Sequence, residues 1–481
     1  MPSRSPKCEK IASPPRLIIA APQGRSGKTT VSLGLCSAWA ARGLKVQPFK
    51  KGPDYIDPSW LSEAAGHACR TLDAFFLASQ DEVGRAFLQG ARTADVSLVE
   101  GNHGLYDSLD DAGTGSTAVV ARWLGAPIIL VVNTARMSRS VAALVRGYQT
   151  FEADTPIAAV ILNNVGHGRH EAKLRNAIER HCDIPVVGVL PRDETLTIPD
   201  RHLGLVPRAE DDQLMPAIQA CRRAVERGMD LDAILDIARA APPIVGWEDA
   251  PQVTNSLLNS NQPARPPVVR IGVIRDRAFT FYYPENLEAL VSAGAELVAI
   301  DALRDTSLPH VAALYIGGGF PEMFMEELSA NRSLRLELRA AVSDGLPIYA
   351  ECGGLMYLAR RLTWGSRSVD MVGALPCDVE MTDRPQGHGY VIAEATEGNP
   401  FMPAGSMLRG HEFHHSRIVN WQGDLHTAYR LLRGHGLGHG RDGLVYRNVL
   451  AAYTHLHVAG SPAWARGVLH QALAYSGKAA V

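Results

Sequence analysis

Short apolar runs rich in Ile, Val and Leu recur through the first two hundred residues, separated by longer Ala- and Leu-rich stretches. "RLIIAAP" (16–22), "KVQPFK" (45–50), "VSLVEG" (96–101), "APIILVVN" (126–133) and "IAAVILNN" (157–164) show little strict alternation. Such runs predict strands buried on both faces. Intervening stretches such as "TTVSLGLCSAWAARG" predict helices, and the alternation predicts a parallel, doubly wound sheet. Residues 208–250 read as amphipathic helix, after which "NSLLNSNQPARPP" (255–267) loses periodicity and gains Asn, Ser and Pro, as linkers do. A second alternation begins at "VVRIGVI" (268–274) and continues through "AELVAI", "AALYIGGG" and "LPIYAEC". The expected organisation is a disordered leader over 1–15, an α/β domain over 16–207, a helical segment and linker over 208–267, and a second α/β domain over 268–475.

Composition narrows the classes. A chain of 481 residues exceeds one ordinary core, so two domains are expected. A net charge of −2 leaves no electrostatic footprint for nucleic acid. The leader has no apolar centre and is not a secretory signal, and the most apolar later run is too short to span a bilayer. Seven scattered cysteines without a CxxC pair make neither a disulfide framework nor a zinc site. These features predict a cytoplasmic protein with no nucleic-acid or membrane partner; a homodimer is compatible with them.

The first chemistry-bearing stretch is "APQGRSGKTT", between the first strand and a helix. Backbone N–H groups of Gly24, Ser26, Gly27 and Thr30 in such a turn form an anion cradle at the helix start. Lys28 would reach the β/γ-phosphates of ATP, and the Thr29 hydroxyl would ligate Mg2+. Pro22 stands where the full Walker pattern has glycine, so the match is to the shorter GxSGKT variant. Asp54 in "KKGPDYIDP" and Glu100 at the end of "SLVEG" are the acids expected to complete a magnesium site with Thr29. The polar loop "EGNHGLYDSLDDAGTG" reads as a substrate loop. It places Asn102, His103 and Tyr106, with Asp57, on an acceptor side.

The second is "LPIYAECGGLMYL" (346–358). A strand, a nucleophile beside small residues, then a helix describes an elbow turn that exposes Cys352. A thiol needs a base, and a helix start is expected to lower its pKa. "AAYTHLHV" supplies His455 and His457, whose spacing of two puts them on one strand face and does not choose between them. The glycines of "YIGGGFPE" offer N–H groups for an oxyanion hole, with Gly318, Gly319 and Gly353 as candidates.

Together, "GRSGKTT", "KGPDYIDP", "LPRDETLTIPDRHLGLVP", "AFTFYYPENLEAL", "GGGFPE", "AECGGLMYL", "RGHEFHHS" and "YTHLH", in this order over residues 16 to about 475, resemble the cobyrinate a,c-diamide synthase family. The resemblance implies a dethiobiotin-synthetase-like P-loop amidoligase domain followed by a class I glutamine amidotransferase domain. It implies ATP, Mg2+, L-glutamine and a tetrapyrrole carboxylate as the reacting partners; because ammonia is mostly protonated in neutral water, the two-domain layout leads to the expectation of an enclosed path for it. It assigns Cys352 as the glutaminase nucleophile and His455 as the residue that raises its nucleophilicity, and it supplies no third acidic member. "GHEFHHS", which holds three histidines, becomes a glutaminase motif rather than a metal site.

Departures cluster on the acceptor side. The family's usual "NLD" triplet reads "TLD" here, with Thr71; Leu61 replaces a histidine; "EGVMGLFDG" becomes "EGNHGLYDS", and "FSPL" becomes "IDAL". Relatives that amidate sirohaem share the "EGN.GLYD" look, so cobyrinate and sirohaem are the expected acceptors, ahead of nickel-sirohydrochlorin. A cobyric acid synthase is a rival within the same build. A partition-type P-loop ATPase is a rival of another class, though Gln23 stands where those ATPases often carry lysine and they lack a glutaminase domain.

Overall fold

A computed structural model describes residues 14–193, 196, 200–201, 204–205, 214–244, 268–424 and 426–477. The leader up to residue 13, the linker 255–267 and half of "LPRDETLTIPDRHLGLVP" lie outside the described residues. The chain divides into two compact units, 1–251 and 252–481.

The first unit is built on a seven-stranded sheet. Its strands are β1 (Arg16–Ala20), β2 (Val46–Lys50), β3 (Arg70–Thr71), β4 (Val96–Glu100), β5 (Ile128–Asn133), β6 (Ile157–Val165) and β7 (Val186–Pro191). They lie in the order β3-β2-β4-β1-β5-β6-β7, every pairing parallel. The five strands expected from apolar runs all form, and β1, β2 and β4 are buried at every position. That burial removes the solvent face that would impose alternation. Helix α1 (Lys28–Ala41) follows β1, and α2 (Ile56–Ala65) follows β2.

The segment after 208 forms α3 (Leu214–Gly228) and α4 (Leu231–Arg239), both packed into this unit's core. Leu214, Ile218, Cys221 and Val225 make the buried stripe of α3. Each large apolar member contributes roughly 1.5–3 kcal/mol by leaving water. The close approach to α1 depends on Gly34, where a Cβ would stand 2.3 Å from Val225 Cγ2 and 2.8 Å from the Cys221 carbonyl. Arg16, fully buried, ties down the chain after α4 by donating to the carbonyls of Leu124 (2.7 Å) and Pro242 (2.5 Å).

The second unit carries a ten-stranded mixed sheet: β8 (Val269–Ile274), β9 (Ala295–Ile300), β10 (Ala313–Ile316), β11 (Ile348–Glu351), β12 (Gly387–Ala395), β13 (Met407–His414), β14 (Thr427–Arg433), β15 (Arg441–Tyr446), β16 (Val449–Ala452) and β17 (His455–Leu456). The order is β9-β8-β10-β11-β16-β15-β14-β12-β13-β17, parallel through β16 and antiparallel beyond. Apolar clusters cover it, one around Ile316, Leu355 and Leu358, the other around Tyr315, Tyr349 and Trp464. Helix α5 (Gly353–Leu358) sits so close over β10 that a Cβ on Gly354 would lie 2.5 Å from the Ile316 carbonyl.

Candidate functional sites

In the first unit, register gathers the chemistry on one sheet edge. Glu100 pairs with Ile19 of β1 on one side and with Lys50 of β2 on the other, so three strands end together. The loops after them open at their carboxyl ends, where ligands of open α/β sheets bind. The loop after β1 turns through left-handed conformations at Arg25 (φ 57°) and Gly27 (φ 99°). Gly27 has no room for a side chain: a Cβ there would stand 2.2 Å from Asn163 Nδ2, which donates to the Ser26 carbonyl at 2.9 Å. Nothing lies within 4 Å of a Cβ built on Gly24, so that edge of the loop is open. Ser26 is buried with its hydroxyl bonded back to Gln23, and Thr30 lies half-buried in the first turn of α1.

Lys28 points into the loop cluster, donating to the carbonyls of His103 (2.7 Å) and Gln23 (3.4 Å). Burial lowers its pKa to about 8, partly offset by the charge of Glu100. The Thr29 hydroxyl donates to Glu100 Oε1 at 3.0 Å. Sequence reading missed the centre of this cluster, Lys50. Its Nζ is bonded to Asp57, lies 2.7 Å from Glu100 Oε1 and 3.9 Å from Asp54 Oδ2, and is 3% exposed. Burial alone would lower its pKa, but Asp57 and Glu100 hold it above the ordinary lysine value. Asp57 is held low against burial by Lys50, whereas burial and the Asp57 charge raise Asp54 to about 7. Burial also raises Glu100.

These residues fit a magnesium ion in one sense. Glu100 is fully buried and its Oε2 has no hydrogen-bond partner among the described residues, an expensive arrangement that a cation would relieve. No group of three or more His, Cys, Asp or Glu side chains among the described residues is arranged to hold a metal by itself. An ion here would draw most of its oxygens from phosphate and water, as magnesium does.

On the expected acceptor side, Asn102 packs against Gly52, where a Cβ would meet its Nδ2 at 2.6 Å, so the loops after β2 and β4 touch. His103 takes a left-handed conformation (φ 48°) and serves Lys28 through its carbonyl while its ring is exposed. Tyr106 stacks on Tyr148 with ring centroids 5.5 Å apart, and its hydroxyl donates to the Tyr148 carbonyl. Tyr148 in turn donates to Pro22, linking this loop to the phosphate loop.

In the second unit, Cys352 stands between β11 and α5 with φ 46° and ψ −96°, a strained conformation for any residue with a Cβ. Its N–H donates to the Ala452 carbonyl at 2.7 Å, which carries the β11–β16 pairing one residue past the strand end. Contrary to the expectation of a lowered pKa, burial and then the Glu322 charge push the thiol well above its ordinary range. The thiol is therefore protonated at rest. A Cβ on Gly353 would lie 3.1 Å from the Gly319 nitrogen, which puts two of the expected oxyanion N–H groups side by side. The third, Gly318, presses on the His455 ring instead: a Cβ there would stand 2.3 Å from its Cε1.

Two clamps that sequence reading missed fix the "YTHLH" segment. Asp442, fully buried, accepts from the Tyr453 and Thr454 backbones and the Thr454 hydroxyl (2.6 Å). Asn286 donates to Leu456 at 2.9 Å and accepts from Val458 at 2.8 Å. Their grip separates the two histidines. His457 accepts from the Ala459 N–H, and its Nε2 faces Glu285 at 3.7 Å. His455 Nδ1 faces Glu351 Oε2, on the residue before Cys352, at 3.5 Å. From "RGHEFHHS", His411 stacks on His455 with centroids 5.0 Å apart, and His414 stacks on Tyr453 at 3.7 Å.

Comparison with known proteins bears on both units. Residues 17–206 match the CobQ/CobB/MinD/ParA nucleotide binding domain, and residues 270–463 match the CobB/CobQ-like glutamine amidotransferase domain. Cobyrinate a,c-diamide synthase of Magnetococcus marinus is 45% identical over 452 residues, 94% of this chain and 96% of that one. The chain belongs to the cobyrinate a,c-diamide synthase family. Enzymes of the same name from Methanosarcina barkeri (39% identical, 93% of this chain and 94% of that one) and Archaeoglobus fulgidus (41%, 95% and 98%) match over similar lengths. The family is one of glutamine-dependent amidating ligases. Its amidotransferase half rules out the partition-type ATPase reading.

Proposed function

We propose that this chain converts the a and c acetate side chains of cobyrinate to amides, using ATP and glutamine. The reading rests on two separate sites within a chain that follows cobyrinate a,c-diamide synthases over more than nine-tenths of its length. A carboxylate is a poor acyl donor because oxide would have to leave. An acceptor carboxylate oxygen attacks the γ-phosphorus of ATP, the bond to ADP breaks, and an acyl phosphate forms. Lys28 and the N–H groups of residues 24–30 neutralise charge on the transferring group. Thr29 and Glu100 would hold a magnesium ion here, which would supply positive charge to the phosphates. Lys50 holds the carboxylates of Glu100 and Asp57 in place. Ammonia then attacks the acyl carbon and phosphate leaves.

Ammonia comes from the second unit. His455 takes the Cys352 proton as the sulfur attacks the side-chain amide carbon of glutamine, so the high resting pKa of the thiol is met by proton transfer within the attack. N–H groups of Gly319 and Gly353 receive the developing oxyanion. The C–N bond breaks as His455 returns the proton, ammonia leaves, and water hydrolyses the thioester to glutamate.

Incubation with MgATP, glutamine and, separately, cobyrinate, sirohaem or nickel-sirohydrochlorin tests the acceptor, read by mass spectrometry. Diamide from cobyrinate alone is expected; product from sirohaem alone would overturn the acceptor and make "EGNHGLYDS" the mark of a different pocket. Cys352→Ser is expected to abolish amidation from glutamine while amidation from ammonia continues, and Lys28→Ala to abolish both.

A further inference from the structure

We propose that Glu351 is the third member of the glutaminase constellation, a positioning residue that orients His455 and stabilises it as an imidazolium. The inference deepens the glutaminase reading and rests on it. Its carboxylate is fully buried and within 3.5 Å of His455 Nδ1. Catalytic hydrogen bonds are often this long before substrate binds. The carboxylate is itself held: Oε1 accepts the Leu456 N–H at 3.2 Å, and Oε2 accepts the Tyr315 hydroxyl at 3.2 Å. The Leu456 bond couples it to the backbone beside His455, so carboxylate and imidazole are fixed to each other.

The position decides the chemistry. Glu351 ends β11, and Cys352 follows directly, so one turn supplies both the nucleophile and the orienter of its base. An acceptor-only carboxylate facing Nδ1 favours the tautomer with the proton on Nδ1 and leaves Nε2 free to accept the thiol proton. It also stabilises the imidazolium once that proton arrives. A buried imidazolium is stabilised by such a counter-charge, and the histidine ring stacked on His455, His411 of β13, is of the kind that cannot provide one. His388 and His457 act on His411, and burial with these histidines and His455 drives His411 well below its ordinary pKa, so His411 supplies no negative charge. Glu322 and Asp442 act on the Cys352 thiol, and Glu351 itself does so too, raising it. His457 has its own carboxylate, Glu285, and is separate from this pair.

Glu351→Gln keeps an oxygen for the Leu456 N–H but places no charge at Nδ1. The test compares glutamine hydrolysis and ammonia-supported amidation in the wild type, Glu351→Gln, Glu351→Asp and Cys352→Ser. For Glu351→Gln, kcat with glutamine is expected to fall on the order of 10²- to 10⁴-fold with little change in KM, the range associated with a misoriented general base. The acid limb of its kcat/KM profile should move to lower pH, because removing a carboxylate destabilises the imidazolium. Glu351→Asp, which keeps the charge, should recover part of kcat and hold the limb near its wild-type position. An unchanged acid limb with kcat within threefold of wild type overturns the proposal. So does loss of ammonia-supported amidation in both Glu351 variants, which would make the residue structural. If Cys352→Ser itself still used glutamine, the glutaminase reading would fail first, whatever Glu351 does.

Discussion

Gly318→Ala should damage glutamine use far more than it damages the protein. The added methyl would stand 2.3 Å from His455 Cε1, whereas ordinary contact begins near 3.4 Å, so the imidazole must retreat by roughly 1 Å. Any such retreat slides the ring across His411, stacked at 5.0 Å, and shifts Nδ1 relative to Glu351, 3.5 Å away. A displacement of about 1 Å at a reacting group costs on the order of 100-fold in rate, equivalent to about 2.7 kcal/mol of barrier. Gly318 does not have a positive φ, so no backbone strain is added; overpacking adds about 1–3 kcal/mol to the instability of the second unit. The assay compares glutamine-dependent and ammonia-supported amidation in one preparation, with urea unfolding alongside. The expected result is a roughly 100-fold loss with glutamine and near-normal turnover with ammonia. Glutamine-dependent kcat/KM within threefold of wild type would refute the argument, since it would mean that the ring has room the geometry denies it.

Two further outcomes follow from the first unit. Lys28, lowered by burial to about 8, is partly neutral above that pH, and a phosphate brought beside it would restore its charge. Nucleotide binding should therefore take up protons between about pH 8 and the ordinary lysine range, with affinity falling as pH rises; calorimetry in buffers of different ionisation enthalpy would count them, and zero uptake near pH 9 would contradict the assignment. The same depressed value means that folding stability gains slightly as pH rises through that window, because there the unfolded chain binds more protons than the native one. Glu100→Gln preserves the size of the side chain beside Thr29 and Lys50 but removes its charge. The magnesium concentration for half-maximal ammonia-supported turnover should rise at least the 10- to 100-fold associated with partners of metal ligands, and an unchanged magnesium curve would place the ion elsewhere.

Much of this was legible in the residues because the relevant signals are local. Apolar runs fix where buried strands fall, and "GRSGKTT" and "AECGG" announce strand-to-helix turns whose glycines and nucleophile need unusual backbone. What was not legible is register and long-range pairing. Lys50 looks like half of an ordinary Lys-Lys pair until β2 and β4 align it with Glu100. Glu351 looks like a neighbour of the nucleophile until β13 pairs with β17 and brings in His455 from a hundred residues away. Asn286 lies within "AFTFYYPENLEAL", but nothing in that stretch says which backbone it holds, and Asp442 belongs to no motif. Gly318 was read for its N–H, whereas the structure shows that its missing side chain is what admits the imidazole. The lowered thiol pKa was expected from the helix start alone; burial, which sequence shows poorly, outweighs it.

The elbow at Cys352 also bears on how this protein can be made more robust. Holding a side-chain-bearing residue at φ 46° and ψ −96° costs about 1–3 kcal/mol, and glycine would occupy the same turn with little strain. Against that stand the burial of one small thiol and its weak contact with the Phe413 carbonyl at 3.9 Å. Selection for thermal tolerance alone would therefore find little reason to keep cysteine here, and a stabilised scaffold with glycine at 352 would have exchanged its glutaminase for stability. An engineering campaign on this fold should screen for ammonia release from glutamine at every round, or leave position 352 untouched.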